Sequence, residues 1–168
     1  SLALPISGNH LFVAVDFETE ALDGCLDSAG FDWSRPALFS CVGTTMYLNA
    51  DFVEATLRVV ASWARGSQIA FSYNQDVQFV DDIGREFLAA ITPRVAEGGE
   101  PVRTSFSPSD MENIVVRCGL TVVDHPTTDD LITRYCAGRR DGLQPYTLER
   151  LLGGTNEAMR PIKEARPA

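Results

Sequence analysis

Ser40-Cys41-Val42-Gly43-Thr44-Thr45-Met46-Tyr47-Leu48 closes an apolar run over residues 37–42 and leads into a helix. The run is continuous, as strands buried on both faces are. Asn49 is placed to cap the helix expected over 50–64, where Phe52, Val53, Thr56, Leu57, Val60, Trp63 and Ala64 keep the 3.6-residue period. Gly66 stands where a helix-ending glycine would, and Gln68-Ile69-Ala70-Phe71-Ser72-Tyr73 follows at once as the next strand. Strand, helix and strand joined by short loops predict a parallel pair in an α/β sheet. A similar strand exit lies upstream, where His10-Leu11-Phe12-Val13-Ala14-Val15 ends at Asp16-Phe17-Glu18. Ligands of open α/β sheets bind at the carboxyl ends of strands, so the two exits suggest one side of a nucleotide-like pocket. No glycine-rich phosphate loop precedes either strand.

Working outward, a short helical turn is expected near residues 22–29, and a helix over 76–91 with Val80, Ile83, Phe87, Leu88 and Ile91 on one face. The segment 92–104 holds two prolines and Gly98-Gly99, which reads as a loop and a candidate lid. Ser107-Pro108-Ser109-Asp110 opens a helix that runs to Arg117, with proline at its first position. Cys118-Gly119 leads to a strand over 120–124, and residues 130–137 can be helical. One domain over 1–152 and an irregular tail over 153–168 are expected.

At 168 residues the chain is long enough for a core of its own. The formal net charge of −9 argues against a nucleic-acid partner, which needs clustered positive charge. Cys25, Cys41, Cys118 and Cys136 are widely scattered and form no C-x-x-C pair, so neither a zinc site nor a disulfide framework is expected. Free thiols in a reducing cytoplasm are the reading. Nothing in the sequence resembles a membrane span or a signal peptide. The chain begins Ser1-Leu2 without methionine, as a fragment, a processed form or a chain with a vector remnant would.

In their order, several motifs resemble the later part of a class I S-adenosylmethionine-dependent methyltransferase, and more narrowly the leucine carboxyl methyltransferase-like bacterial O-methyltransferases. The residues are Phe12-Val13-Ala14-Val15-Asp16-Phe17, Gly30-Phe31-Asp32 with Arg35-Pro36, and Gly43 with Thr45-Met46-Tyr47-Leu48. Gly66-Ser67, Phe106-Ser107-Pro108 and Gly119-Leu120 continue the series. The resemblance implies a doubly wound, mostly parallel Rossmann-like sheet that this chain joins after its first strands and glycine-rich loop. It implies S-adenosyl-L-methionine as cofactor and methylation of oxygen on a small molecule or carboxylate, with this fragment inactive alone. A half-sheet also exposes an apolar edge, which invites self-association. Members of the family usually carry a glutamate where Val42 stands, and valine cannot bind the cofactor's amino group by a charge-assisted hydrogen bond.

The resemblance puts Asp16 at the adenine amino group and Phe17 against the adenine face; a loop-capping aspartate and a core phenylalanine are the alternatives. Gly43 would let the backbone approach the cofactor closely, with Cys41 and Val42 as apolar wall. Tyr47 can position an acceptor or sit in the core with its hydroxyl at the surface. Methyl transfer from a sulfonium needs chiefly proximity and in-line orientation, and a base only for a weakly acidic hydroxyl. His125 is the histidine placed to be that base, unless it is structural, and Arg139 can hold an acidic substrate group or an ordinary ion pair. The rival to an enzyme is a non-catalytic relic or regulatory domain that binds no cofactor. A nicotinamide-dependent oxidoreductase lacks support, because no G-x-G-x-x-G follows a strand.

Overall fold

The computed structural model describes residues 10–17 and 19–158. They divide into two compact units, Ser1–Asp32 and Trp33–Ala168. In the first, α1 spans Leu22–Ser28. The strand expected over 10–15 is not there: residues 10–16 form no ladder, and Phe12 is 81% exposed. An extended segment keeps its shape in water only when its N–H and C=O groups find ladder partners. Among the described residues no strand pairs with this run, and it is irregular. Glu18, expected at the exit of that strand, lies outside the described residues.

The second unit holds β1 (Leu38–Cys41), α2 (Ala50–Ser62), β2 (Gln68–Asn74), α3 (Asp82–Glu97), α4 (Pro108–Arg117), β3 (Thr121–Asp124), α5 (Thr128–Leu131) and β4 (Glu149–Thr155). A single π-helical turn, Ile132–Cys136, extends α5. The sheet order is β1-β2-β4-β3. β1 and β2 pair in parallel, Cys41 opposite Phe71, as the strand-helix-strand pattern predicts. β4 runs antiparallel between β2 and β3, so three strands share one direction and the fourth opposes them. The irregular tail expected from residue 153 is corrected here: β4 carries the sheet through Thr155.

Alternation along β2 sends Ile69, Phe71 and Tyr73 to one face. There they meet Val53, Leu57 and Val60 of α2 and Met111, Ile114 and Val115 of α4, all buried. Each such fully buried side chain contributes on the order of 1.5–3 kcal/mol. Ser72 and Asn74 project to the opposite face. α4 begins as its sequence predicts, with the Ser107 hydroxyl accepting from the Asp110 N–H and Pro108 at the first helical position.

Three local expectations are revised. Asn49 precedes α2 but its side chain caps nothing. Gly66 does not end α2 either. The helix stops at Ser62, and the Asn156 amide, arriving from the end of β4, donates to the carbonyls of Val60, Trp63 and Ala64. The carbonyls of Val60 and Ala64 also accept local bonds from Trp63 and Ser67, but the Asn156 amide reaches all three from about ninety residues away, which no local signal announces. Finally, the second helix begins at Asp82 rather than near residue 76, capped by Asp81, and runs through Pro93 to Glu97. Much of the expected loop 92–104 is therefore helix. Pro93 is exposed, so water can take the carbonyl it leaves without a donor.

Candidate functional site

The exit of β1 is a tight turn. Gly43 has φ +70°, which side-chain-bearing residues rarely adopt, and no atom lies within 4 Å of where its Cβ would stand. Its N–H donates to the Ser72 hydroxyl at 2.7 Å, which ties the turn to β2. The Thr45 hydroxyl donates to the Ser72 carbonyl as well. Val42 is 55% exposed on the turn, and burial raises the Cys41 thiol pKa behind it. Tyr47 is half-buried in a short 3-10 turn over Thr45–Tyr47.

The loop read as a lid is pinned at its far end. The N–H groups of Arg103 and Thr104 donate to the Met46 carbonyl at 2.8 and 3.3 Å, and the Phe106 N–H donates to the Asn74 carbonyl at 3.0 Å. Between this loop, the exit of β2 and Leu88 of α3 lies an open cleft of about 510 Å³. Asn74, Gln75 and Asp76 form one wall. Sequence reasoning passed over these three, although they are a polar strand exit of the same kind as Asp16 and Val42-Gly43.

His125 follows β3, its side chain only 6% exposed. Its Nε2 lies 2.9 Å from the Tyr73 hydroxyl and its Nδ1 2.6 Å from Glu112 Oε1 on α4. Arg150 donates to the carbonyls of His125 and Pro126. Both ring nitrogens are thus occupied by protein partners. Burial pushes the Tyr73 hydroxyl pKa well above the usual phenol range. Arg139 is paired with Asp141 two residues on, through Nε at 3.0 Å and a second contact from the guanidinium.

Asp16 and Phe17 lie in the first unit. The Asp16 carboxylate accepts from the Thr19 hydroxyl at 2.9 Å, and its carbonyl accepts from the N–H groups of Thr19 and Glu20. Glu20 answers by accepting from the Asp16 N–H. Asp16 therefore organises a turn; Phe17, half-buried, is part of it. Among the described residues no group of three or more His, Cys, Asp or Glu is disposed to hold a metal. No described helix is long and apolar enough to cross a membrane.

A sheet with β4 turned against three co-directional strands, and a glycine turn at the exit of its edge strand, defines a Rossmann-like α/β protein. Its kin are specific. Residues 2–61 match the family model of leucine carboxyl methyltransferase. The chain is 27% identical over 148 residues to "Putative S-adenosyl-L-methionine-dependent methyltransferase YktD" of Bacillus subtilis (strain 168), covering 85% of this chain and 47% of that one. A solved DUF574 family protein from Streptomyces avermitilis shares the fold, with a TM-score of 0.56 at 15% identity over 82% of this chain and 53% of the other. The chain spans about half the length of these relatives. Over most of its length the chain is thus similar to S-adenosyl-L-methionine-dependent methyltransferases, as the motifs from Phe12 to Leu120 imply.

Proposed function

We propose that this chain serves an S-adenosyl-L-methionine-dependent O-methyltransferase that acts on a small molecule or a carboxylate. The observation that carries the reading is the turn at Val42-Gly43. It stands at the carboxyl end of an edge strand, leaves open space over Gly43, and lies inside the segment that matches the leucine carboxyl methyltransferase family. Cys41, Val42 and Gly43 are then the wall of a cofactor pocket, and for Asp16 and Phe17 the adenine role rests on the resemblance alone. Asp16 can accept a further hydrogen bond from an amino group, since a carboxylate carries about four lone-pair sites.

The cofactor supplies an already activated methyl group; the chain supplies position. With both His125 nitrogens engaged, a carboxylate acceptor suits this site better than a hydroxyl that needs a base. Tyr47, beside the glycine turn, is the residue to orient that acceptor. Arg139 would have to leave Asp141 to bind an acidic group, which makes it the weaker candidate for substrate contact.

The test is methyl transfer by the complete product of the gene, followed as S-adenosylhomocysteine released in the presence of small carboxylic acids. Product that loses its methyl group in mild base is a carboxyl ester and supports the reading. Base-stable product places the methyl group on a hydroxyl or on nitrogen. A second reading, a non-catalytic relative, rests on Val42 in place of the family's glutamate. It is favoured if the complete protein binds no S-adenosylmethionine.

A further inference from the structure

β1 stops at Cys41, opposite Phe71, while β2 runs on to Asn74. Past that last ladder pair, the turn after β1 supplies partners to β2. The Gly43 N–H donates to the Ser72 hydroxyl at 2.7 Å, and the Thr45 hydroxyl donates to the Ser72 carbonyl. Thr45 and Ser72 are 4% and 0% exposed, so water does not replace these bonds when one is lost. Thr45 is also held from the other side, where its own carbonyl accepts from the Thr104 hydroxyl at 3.1 Å. The next carbonyl, that of Met46, takes the N–H groups of Arg103 and Thr104. Both of those residues line the cleft at the exit of β2. One buried side chain thus stands between the glycine turn and the cleft wall, joined to both.

We propose that Thr45 is a positioning residue, whose hydroxyl holds the Gly43 turn and the 103–106 wall of the cleft in one arrangement, so that neither moves without the other. Gly43 does not hold its turn unaided. Glycine at φ +70°, with open space where a Cβ would stand, has other conformations within easy reach, and the bonds to Ser72 select this one. The loop does not hold itself either. Residues 100–105 form neither helix nor strand, and they are tied down through Thr45 and Met46 on one side and Asp76 on the other. Thr45 is fit for the task. It borders Cys41, Val53 and Phe71 in the core, which fixes its rotamer and with it the aim of the hydroxyl. The functional half of this inference rests on the methyltransferase reading, in which the turn meets the cofactor and Tyr47, in the 3-10 turn that Thr45 opens, orients the acceptor. On that reading Thr45 touches neither molecule. It sets the distance between methyl donor and acceptor, on which in-line transfer depends.

Two measurements keep the coupling apart from that reading. The first follows amide hydrogen exchange at Gly43, Arg103 and Met111 in the isotopically labelled 168-residue chain and its Thr45→Val and Thr45→Ser variants, without S-adenosylmethionine. These N–H groups donate to Ser72, Met46 and Ser107, not to Thr45, and Met111 reports on the core helix α4. The expected result in Thr45→Val is exchange about tenfold faster at both Gly43 and Arg103, with Met111 unchanged. Thr45→Ser keeps the hydroxyl and should restore both rates. An unchanged rate at Gly43 or Arg103, acceleration that includes Met111, or no recovery in Thr45→Ser overturns the coupling. If Thr45→Val does not fold, Thr104→Val cuts the same link from the loop side: faster exchange at Gly43 supports the coupling, and an unchanged rate overturns it. The second measurement uses the complete product of the gene. There Thr45→Val should lower kcat at least about tenfold, with KM for S-adenosylmethionine changed less, and Thr45→Ser should recover it. Lost stability with kcat intact would overturn the positioning role. If the parent protein binds no S-adenosylmethionine, the methyltransferase reading falls, and the exchange rates alone decide the coupling.

Discussion

The Tyr73 hydroxyl lies 2.9 Å from His125 Nε2, and through that ring it is joined to Glu112. Tyr73 is fully buried near the end of β2, His125 follows β3, and Glu112 is on α4, so one chain of hydrogen bonds links two strands and a helix. The arrangement that satisfies every atom has Tyr73 donating to Nε2 and Nδ1–H donating to the carboxylate. A histidine so placed holds β3's exit against β2.

His125→Ala strands the Tyr73 hydroxyl without a partner and should destabilise by about 1–3 kcal/mol in urea denaturation. In the double-mutant cycle with Tyr73→Phe, the two effects should be less than additive, because either change alone breaks the same bond. Additive effects would mean that the contact contributes nothing.

Alkaline pH tests the same tyrosine. Its folded pKa is raised by burial above the ordinary 10.0, so the folded state holds its proton after the unfolded chain has released it. The stabilisation is complete below pH 10.0 and is lost as pH rises toward the folded value. Stability measured from pH 8 upward should therefore fall more steeply in the unsubstituted chain than in Tyr73→Phe. Parallel curves would contradict this.

Gly43→Ala should cost roughly 1–2 kcal/mol, all of it from the backbone, since nothing crowds the new Cβ. Gly43→Asn should cost less, because asparagine tolerates positive φ better. Comparing the two by chemical denaturation separates conformational strain from packing, which would penalise the larger side chain more.

Glu54 on α2 accepts from Arg117 of α4 at 2.7 Å and pairs with Arg58 of its own helix. The hydrogen bond from Arg117 is the first cause of its lowered pKa. A carboxylate with a depressed folded pKa stabilises above its ordinary 4.5, and that contribution is lost as pH falls through the folded value. Glu54→Gln should accordingly be less stable than the parent at pH 7 and indistinguishable from it near pH 2. The gap at pH 7 should narrow in molar salt.

The centre of the fold was legible in the sequence because its signals are local. The apolar run ending at Cys41, the periodic face from Val53 to Val60, and Ser107-Pro108 at the start of α4 each state their own structure. β4 was hidden for the opposite reason. Glu149, Arg150, Gly153 and Gly154 make a poor strand by propensity, and the ladder partners that hold them, β2 and β3, are distant in the chain. A Cβ on Gly154 would lie 3.4 Å from Ile69 Cγ2, within ordinary contact of the core. The first expected strand failed because an apolar run does not specify its ladder partner. At the site, Gly43 could be read from the chain, whereas the bond from the Thr45 hydroxyl to Ser72 joins residues distant in sequence, which no local signal states.

Isothermal titration of S-adenosylmethionine into the complete product of the gene, beside its Val42→Glu variant, tests the central claim most directly. Val42 is more than half exposed, so the substitution carries little burial cost. The account predicts one cofactor bound per chain, and about tenfold or tighter binding in the variant, where a carboxylate meets the cofactor's amino group. No binding by either protein would contradict it and leave a methyltransferase fold put to another use.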